Sequence, residues 1–132
     1  MIGHIGLNVD DLAAAKSYYD RLIPAVDFET FLEGDDQVAY RPAGGKPGTY
    51  LFLYPSWEPS EYSRLNTGLQ HLAFVVPSRT RVQEVHHLAV ELGSNVLHEP
   101  QEWPEYPPPY YATFWEDPHG FMLEAVCHHD RD

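Results

Sequence analysis

The chain has 132 residues, 43% of them hydrophobic and 14% aromatic, with 20 acidic side chains against 8 Lys and Arg. That length and apolar content suit one domain, or two small modules sharing a core. The net charge of −12 repels phosphate backbones and anionic membranes, so neither nucleic acid nor a membrane surface is expected as a partner. Cys127 is the single cysteine, which excludes an intrachain disulfide. No basic-then-apolar leader is present and no apolar run approaches the ~18 residues of a membrane span, so a cytoplasmic protein is expected.

Residues 3–9 alternate, with His4, Gly6 and Asn8 on one side and Ile5, Leu7 and Val9 on the other. Period two predicts a strand with two different faces. Asp10 or Asp11 is placed to cap the helix that follows, whose core stripe is Leu12, Ala15, Tyr19 and Leu22; Pro24 ends it. Two short strands, 26–33 and 36–41, flank the turn signal Glu33-Gly34-Asp35. Residues 42–48 read as an irregular loop, and Tyr50–Tyr54 as a strand closing a first module of about 1–54. Residues 55–68, rich in Pro and Ser, read as a linker.

The same order then repeats over about 69–127. Gln70–Val76 is a second strand headed by a histidine, His71. Ser78 caps a helix with Val82, Val85, Leu88, Ala89 and Leu92 on its core side, and Gly93 stops it. Asn95–Leu97 predicts a short strand, and residues 99–109 a stiff Pro-aromatic loop. Tyr110–Trp115, the turn Asp117-Pro118-His119-Gly120 and a final strand Phe121–Val126 complete the module, leaving a tail of 128–132. The fold expected is α+β: two tandem βαβββ modules forming a cupped mixed sheet with helices on the outer face, in one domain.

Glu124 is out of character in an apolar strand. A carboxylate is costly to bury unless it is paired or binds a metal. Strand parity sets Glu124 on the face opposite the helix, with His4 and His71 on the matching faces. Two imidazoles and a carboxylate suit a first-row metal with coordination positions left open. The alternatives from the residues alone are a capping His4, a satisfied core His71 and a Glu124 paired with an arginine.

The duplication, the paired His4 and His71, and the run Tyr110–Glu124 with its Asp-Pro-His-Gly turn resemble the vicinal oxygen chelate superfamily, the glyoxalase, bleomycin-resistance and extradiol dioxygenase group. The resemblance covers about residues 2–127. It implies metal ligands from the first strand of each module and from the last strand: His4, His71 and Glu124. It also implies one divalent ion per site (Fe, Mn, Zn, Ni or Co) and a small substrate binding through adjacent oxygens, in a dioxygenase, isomerase or thiol-transferase type of reaction. Glyoxalase I-type members carry a fourth ligand in the last strand of the first module, where this chain has Phe52. The absence of Lys or Arg between Arg81 and Arg131 counts against a phosphonate substrate. Tyr50, Phe52, Tyr54, Phe114 and Met122 are expected to line the substrate cavity. Tyr110, Tyr111 and Glu116 are the candidates for a general base. A homodimer is expected, with the modules paired within a chain or swapped between two. The alternative function is a non-catalytic protein that sequesters an aromatic or cationic molecule, as bleomycin-resistance members do.

Overall fold

The structure is a computed structural model that describes residues 1–130. The two C-terminal residues of the predicted tail, 131–132, lie outside the described residues. The chain divides into two units, at Glu61 and Tyr62.

The first unit runs β1 (His4–Val9), α1 (Leu12–Leu22), β2 (Phe28–Glu33), β3 (Val38–Pro42) and β4 (Tyr50–Pro55), in the sheet order β1-β4-β3-β2. Asp11 is the helix cap, accepting the Ala14 N–H at 3.0 Å. A single 3-10 turn, Ile23–Val26, follows Leu22 around Pro24, and another, Ala43–Gly45, interrupts the segment expected to be irregular. Strand β1 pairs parallel with β4, and β3 pairs antiparallel with both β2 and β4. Ala15, Tyr19 and Leu22 of α1 are buried, as are Val38, Tyr40, Leu51 and Leu53 of the sheet. Tyr19 stacks on Tyr40, their ring centroids 6.2 Å apart. The register shift between Thr30 and Leu32 leaves Phe31 45% exposed.

The second unit repeats the order: β5 (Leu72–Val75), α2 (Arg79–Glu91), β6 (Asn95–Glu102), β7 (Tyr111–Glu116) and β8 (Met122–Cys127), arranged β5-β8-β7-β6. Ser78 caps α2 by accepting the Arg81 N–H at 3.0 Å. Val82, Val85 and Ala89 bury the helix side. Strand β6 is longer than its sequence suggests and runs through Pro100, which an edge strand with two register shifts tolerates. The turn at 117–120 is pinned by Asp117, whose Oδ1 accepts the N–H groups of His119 and Phe121 at 2.8 and 2.9 Å. Gly120 there has φ +88°, a conformation that favours glycine. Both faces of β8 are buried along its whole length.

The architecture is thus α+β: two repeated βαβββ modules, each with its own four-stranded mixed sheet and one long helix.

Candidate functional site

Residues paired in register project to the same face of a sheet. In the second unit Ala73 pairs with Glu124, and Glu124 with Phe114. His71, Ala73, Phe114, Met122, Glu124 and Val126 therefore belong to one face, and Leu123, Ala125 and Trp115 to the helix side. Ala112, Phe114, Met122 and Val126 form a buried apolar cluster, against which Leu97, Trp103 and Tyr110 pack. Glu124 stands among them with 0% of its surface exposed.

That burial pushes the Glu124 carboxyl up from the ordinary carboxylate range; the Tyr110 hydroxyl, His71 and His128 pull it back down. Its Oε2 accepts a hydrogen bond from the Tyr110 hydroxyl. Its Oε1 accepts no hydrogen bond, yet lies 3.2 Å from His71 Nε2. The other ring nitrogen of His71, Nδ1, is hydrogen-bonded to the Gln70 side-chain oxygen. Where Nδ1 donates to that oxygen, Nε2 of the neutral ring carries its lone pair. In that tautomer a lone pair and a carboxylate oxygen face each other, which is favourable only with a cation between them.

A proton or a metal ion meets that requirement. Metal–nitrogen and metal–oxygen bonds of about 2.0–2.2 Å at angles near 90–110° set two donors about 3.0–3.5 Å apart. The observed 3.2 Å falls in that range, so the pair fits a metal. Among the described residues, no cluster of three or more His, Cys, Asp or Glu side chains is grouped to hold an ion.

In the first unit Gly6 pairs with Phe52, as Ala73 pairs with Glu124. His4 lies two residues before Gly6 and His71 two before Ala73, so the two histidines hold equivalent places. His4 is exposed, its ring centroid 5.3 Å from that of Phe52. Phe52 stacks on Tyr54 at 6.1 Å, and Phe31 meets Tyr50 edge-on at 5.0 Å. Tyr50, Phe52 and Tyr54 form a half-buried aromatic face with His4. Arg41 lies over Phe31, 5.2 Å from its centroid, and is paired with Glu29 at 3.0 Å.

Of the three general-base candidates, Tyr110 touches Glu124. Burial and the adjoining carboxylate push its phenol well above the ordinary range, so it keeps its proton and donates the hydrogen bond to Glu124. Tyr111 lies in register with Cys127, away from the Glu124 face, and its hydroxyl accepts from Gln83 Nε2 at 3.1 Å. Glu116 is held by Arg64 at 3.2 Å and Asn95 at 2.7 Å.

One neighbour escaped the sequence reading. His128, the first residue of the predicted tail, is half-buried, and its ring meets Tyr110 at 5.1 Å. The signal was its parity: residues 122, 124, 126 and 128 continue one face of β8 beyond its last paired residue.

The chain matches the model of the Glyoxalase/Bleomycin resistance protein/Dioxygenase superfamily over residues 1–125, and it belongs to that family. The Bacillus subtilis (strain 168) protein YqjT, itself uncharacterised, is 27% identical over 127 residues, covering 94% of this chain and 96% of its own. A solved structure from Bacillus halodurans, assigned to the glyoxalases, superposes with a TM-score of 0.82 at 29% identity, covering 96% of this chain and 95% of that one. A lactoylglutathione lyase from Agrobacterium tumefaciens shares the fold with a TM-score of 0.67 at 24% identity, over 96% and 92% of the two chains. No helix among the described residues is long and apolar enough to cross a membrane.

Proposed function

We propose that this chain is a metal-dependent enzyme of the glyoxalase and dioxygenase type, acting on a small substrate that presents two adjacent oxygens. One divalent ion (Fe, Mn, Zn, Ni or Co) would be held by His71, Glu124 and His4. The observation that carries this reading is the opposed pair of His71 Nε2 and Glu124 Oε1, 3.2 Å apart with no hydrogen bond to the carboxylate oxygen. His4 joins the set through its equivalence to His71 in the repeat.

When bound, such an ion draws charge from substrate oxygens and stabilises an enolate or alkoxide. The chain's own residues prepare the place. Gln70 meets Nδ1 of His71, and with Nδ1 as donor Nε2 is left for the ion. Phe114, Met122 and Val126 keep the surroundings of the carboxylate apolar, which strengthens every electrostatic contact made there. Phe52 stands where a fourth donor would be, leaving three protein ligands and open positions for substrate. Strands β1 and β5 end their sheets, and unpaired edges of this kind invite a second module or a second chain. The assembly in this reading is a homodimer, and the buried Cys127, which forms no disulfide, suits a reducing cytoplasm.

Elemental analysis of tag-free wild type and His71→Ala tests the reading. About one equivalent of a first-row metal per chain, lost in the variant, is expected. Wild-type protein that holds no metal and takes up none on addition would overturn it.

A second reading has its own support. The aromatic face of Tyr50, Phe52 and Tyr54 and the net charge of −12 suit a binding protein for a flat or cationic molecule. Such a protein would keep its ligand affinity without metal in Glu124→Gln, whereas the enzyme would lose metal and turnover together.

A further inference from the structure

Glu124 has two oxygens, and the structure treats them differently. Oε2 receives the Tyr110 hydroxyl, while Oε1 receives no hydrogen bond and points at His71. Both sit in a residue with no exposed surface. A buried carboxylate left to itself binds a metal through one oxygen or both; occupation of one by a donor decides the matter.

Tyr110 is itself held in place from several sides. Its carbonyl accepts the Trp103 N–H at 3.0 Å, which closes the loop between β6 and β7. Its ring touches those of Tyr106, at 4.7 Å, and His128, at 5.1 Å. Trp103, the base of this loop, is anchored in turn, its Nε1 donating to the Ala112 carbonyl at 3.2 Å. The Pro-rich segment therefore delivers one hydroxyl to one carboxylate oxygen.

We propose that Tyr110 is a positioning residue that occupies Glu124 Oε2 and turns Oε1 toward His71, making Glu124 a one-oxygen ligand. The inference rests on the metal reading above. It assigns the Pro-aromatic loop a role, that of setting the metal's coordination from behind the ligand. Partners of this kind typically change metal affinity about 10–100-fold when removed.

The test titrates metal-free wild type, Tyr110→Phe and Tyr106→Phe with Co(II) against a chelating indicator. Tyr110→Phe is expected to bind about 10–100-fold more weakly. Its visible Co(II) spectrum should also change intensity, because a carboxylate free to use both oxygens alters the coordination number. Tyr106→Phe keeps its ring against Tyr110 and is expected to match wild type in both readouts. Equal affinity in Tyr110→Phe and wild type overturns the inference while leaving the metal reading standing. Equal weakening in both variants overturns it too, because the loop as a whole would then be responsible. Wild type that takes up no Co(II) overturns the metal reading and the inference with it. Should Tyr110→Phe fail to fold, the infrared difference spectrum of wild type with and without metal decides. A wide separation of the two carboxylate stretches, as one-oxygen binding gives, supports the inference; a narrow one overturns it.

Discussion

Phe52 and Glu124 hold the same place in the two halves of the repeat. Phe52 pairs with Gly6 in one parallel ladder, and Glu124 pairs with Ala73 in the other. The duplication has thus kept a histidine two residues before Gly6 and before Ala73, and diverged at the last strand, with a ring in one unit and a carboxylate in the other. The ring belongs to an aromatic face, stacked on Tyr54 and 5.3 Å from His4. The carboxylate is wholly buried beside His71. At this position one unit has a ring on an aromatic face and the other a buried carboxylate.

The first prediction concerns that buried charge. Desolvation opposes the Glu124 carboxylate more than its neighbours favour it, so in metal-free protein the charge is a burden on the fold. Glu124→Gln keeps the shape and an oxygen able to accept from Tyr110. Metal-free Glu124→Gln is expected to melt at or above the metal-free wild-type temperature. Added metal should raise the wild-type melting temperature and leave the variant's unchanged, through binding to the folded state alone. Thermal melts with and without Zn(II) or Mn(II) measure both. A variant raised as much as wild type would remove Glu124 from the ligand set.

Much of this was open to the sequence because it is local or periodic. The caps Asp11 and Ser78, the helices they open and the strand headed by His4 follow from side-chain type and spacing. Glu124 stood out because β8 is apolar on both sides of it. What escaped depends on contacts across the sheet. No pattern in residues 99–102 announces that β6 continues through Pro100 beside β7. Nothing local says that Tyr110 reaches back to a carboxylate fourteen residues on, or that Glu116 is committed to Arg64 and Asn95.

The second prediction concerns alkaline stability. The Tyr40 hydroxyl donates to Asp20 Oδ1 at 3.0 Å, and burial, with the charges of Asp20 and Glu33, pushes its phenol above the ordinary value of 10.0. The folded chain thus keeps this proton at a pH where the unfolded chain loses it. The contribution is whole below pH ~10 and is lost as the pH rises beyond it. Lys16, bridged to Asp20 and Glu33, is shifted upward and loses its contribution in the same direction. Urea midpoints at pH 8 and pH 11 should fall less steeply in Tyr40→Phe than in wild type, although the variant starts about 1 kcal/mol lower for the lost hydrogen bond. Parallel falls in both proteins would dissociate Tyr40 from the effect.

The third prediction separates geometry from charge at the turn before β8. Asp117 is 5% exposed, and one of its oxygens accepts two backbone N–H groups. Asp117→Ala leaves both without that acceptor and is expected to cost about 2 kcal/mol or more. Asp117→Asn retains an oxygen at the same place and should recover at least half of the loss. Denaturant unfolding of the two variants gives the comparison. Equal losses would mean that the negative charge, not the acceptor geometry, holds the turn.

The last prediction distinguishes a wall of the site from its foundation. Phe114 is in register with Glu124 but only 6% exposed. Its ring meets Trp103 at 5.1 Å, His98 at 5.8 Å and His71 at 6.1 Å. Truncation to Ala would open a cavity beneath the carboxylate and is expected to cost about 3–5 kcal/mol. Phe52 bears the equivalent position in the repeat but is half-buried, so Phe52→Ala should cost less, about 1–2 kcal/mol for the smaller apolar area removed from water. The functional consequences should run the other way. Phe52→Ala leaves the second unit intact and is expected to weaken binding of an aromatic ligand, while lowering metal uptake less than a Phe114 variant does, because only the exposed His4 loses a neighbour. Phe114→Leu, which keeps most of the volume, should weaken metal uptake by loosening His71. Unfolding free energies, Co(II) titration and ligand binding on the same two positions measure all three effects. A Phe52 variant that loses metal as completely as a Phe114 variant would show that the ring, and not only the carboxylate unit, shapes the ion's surroundings.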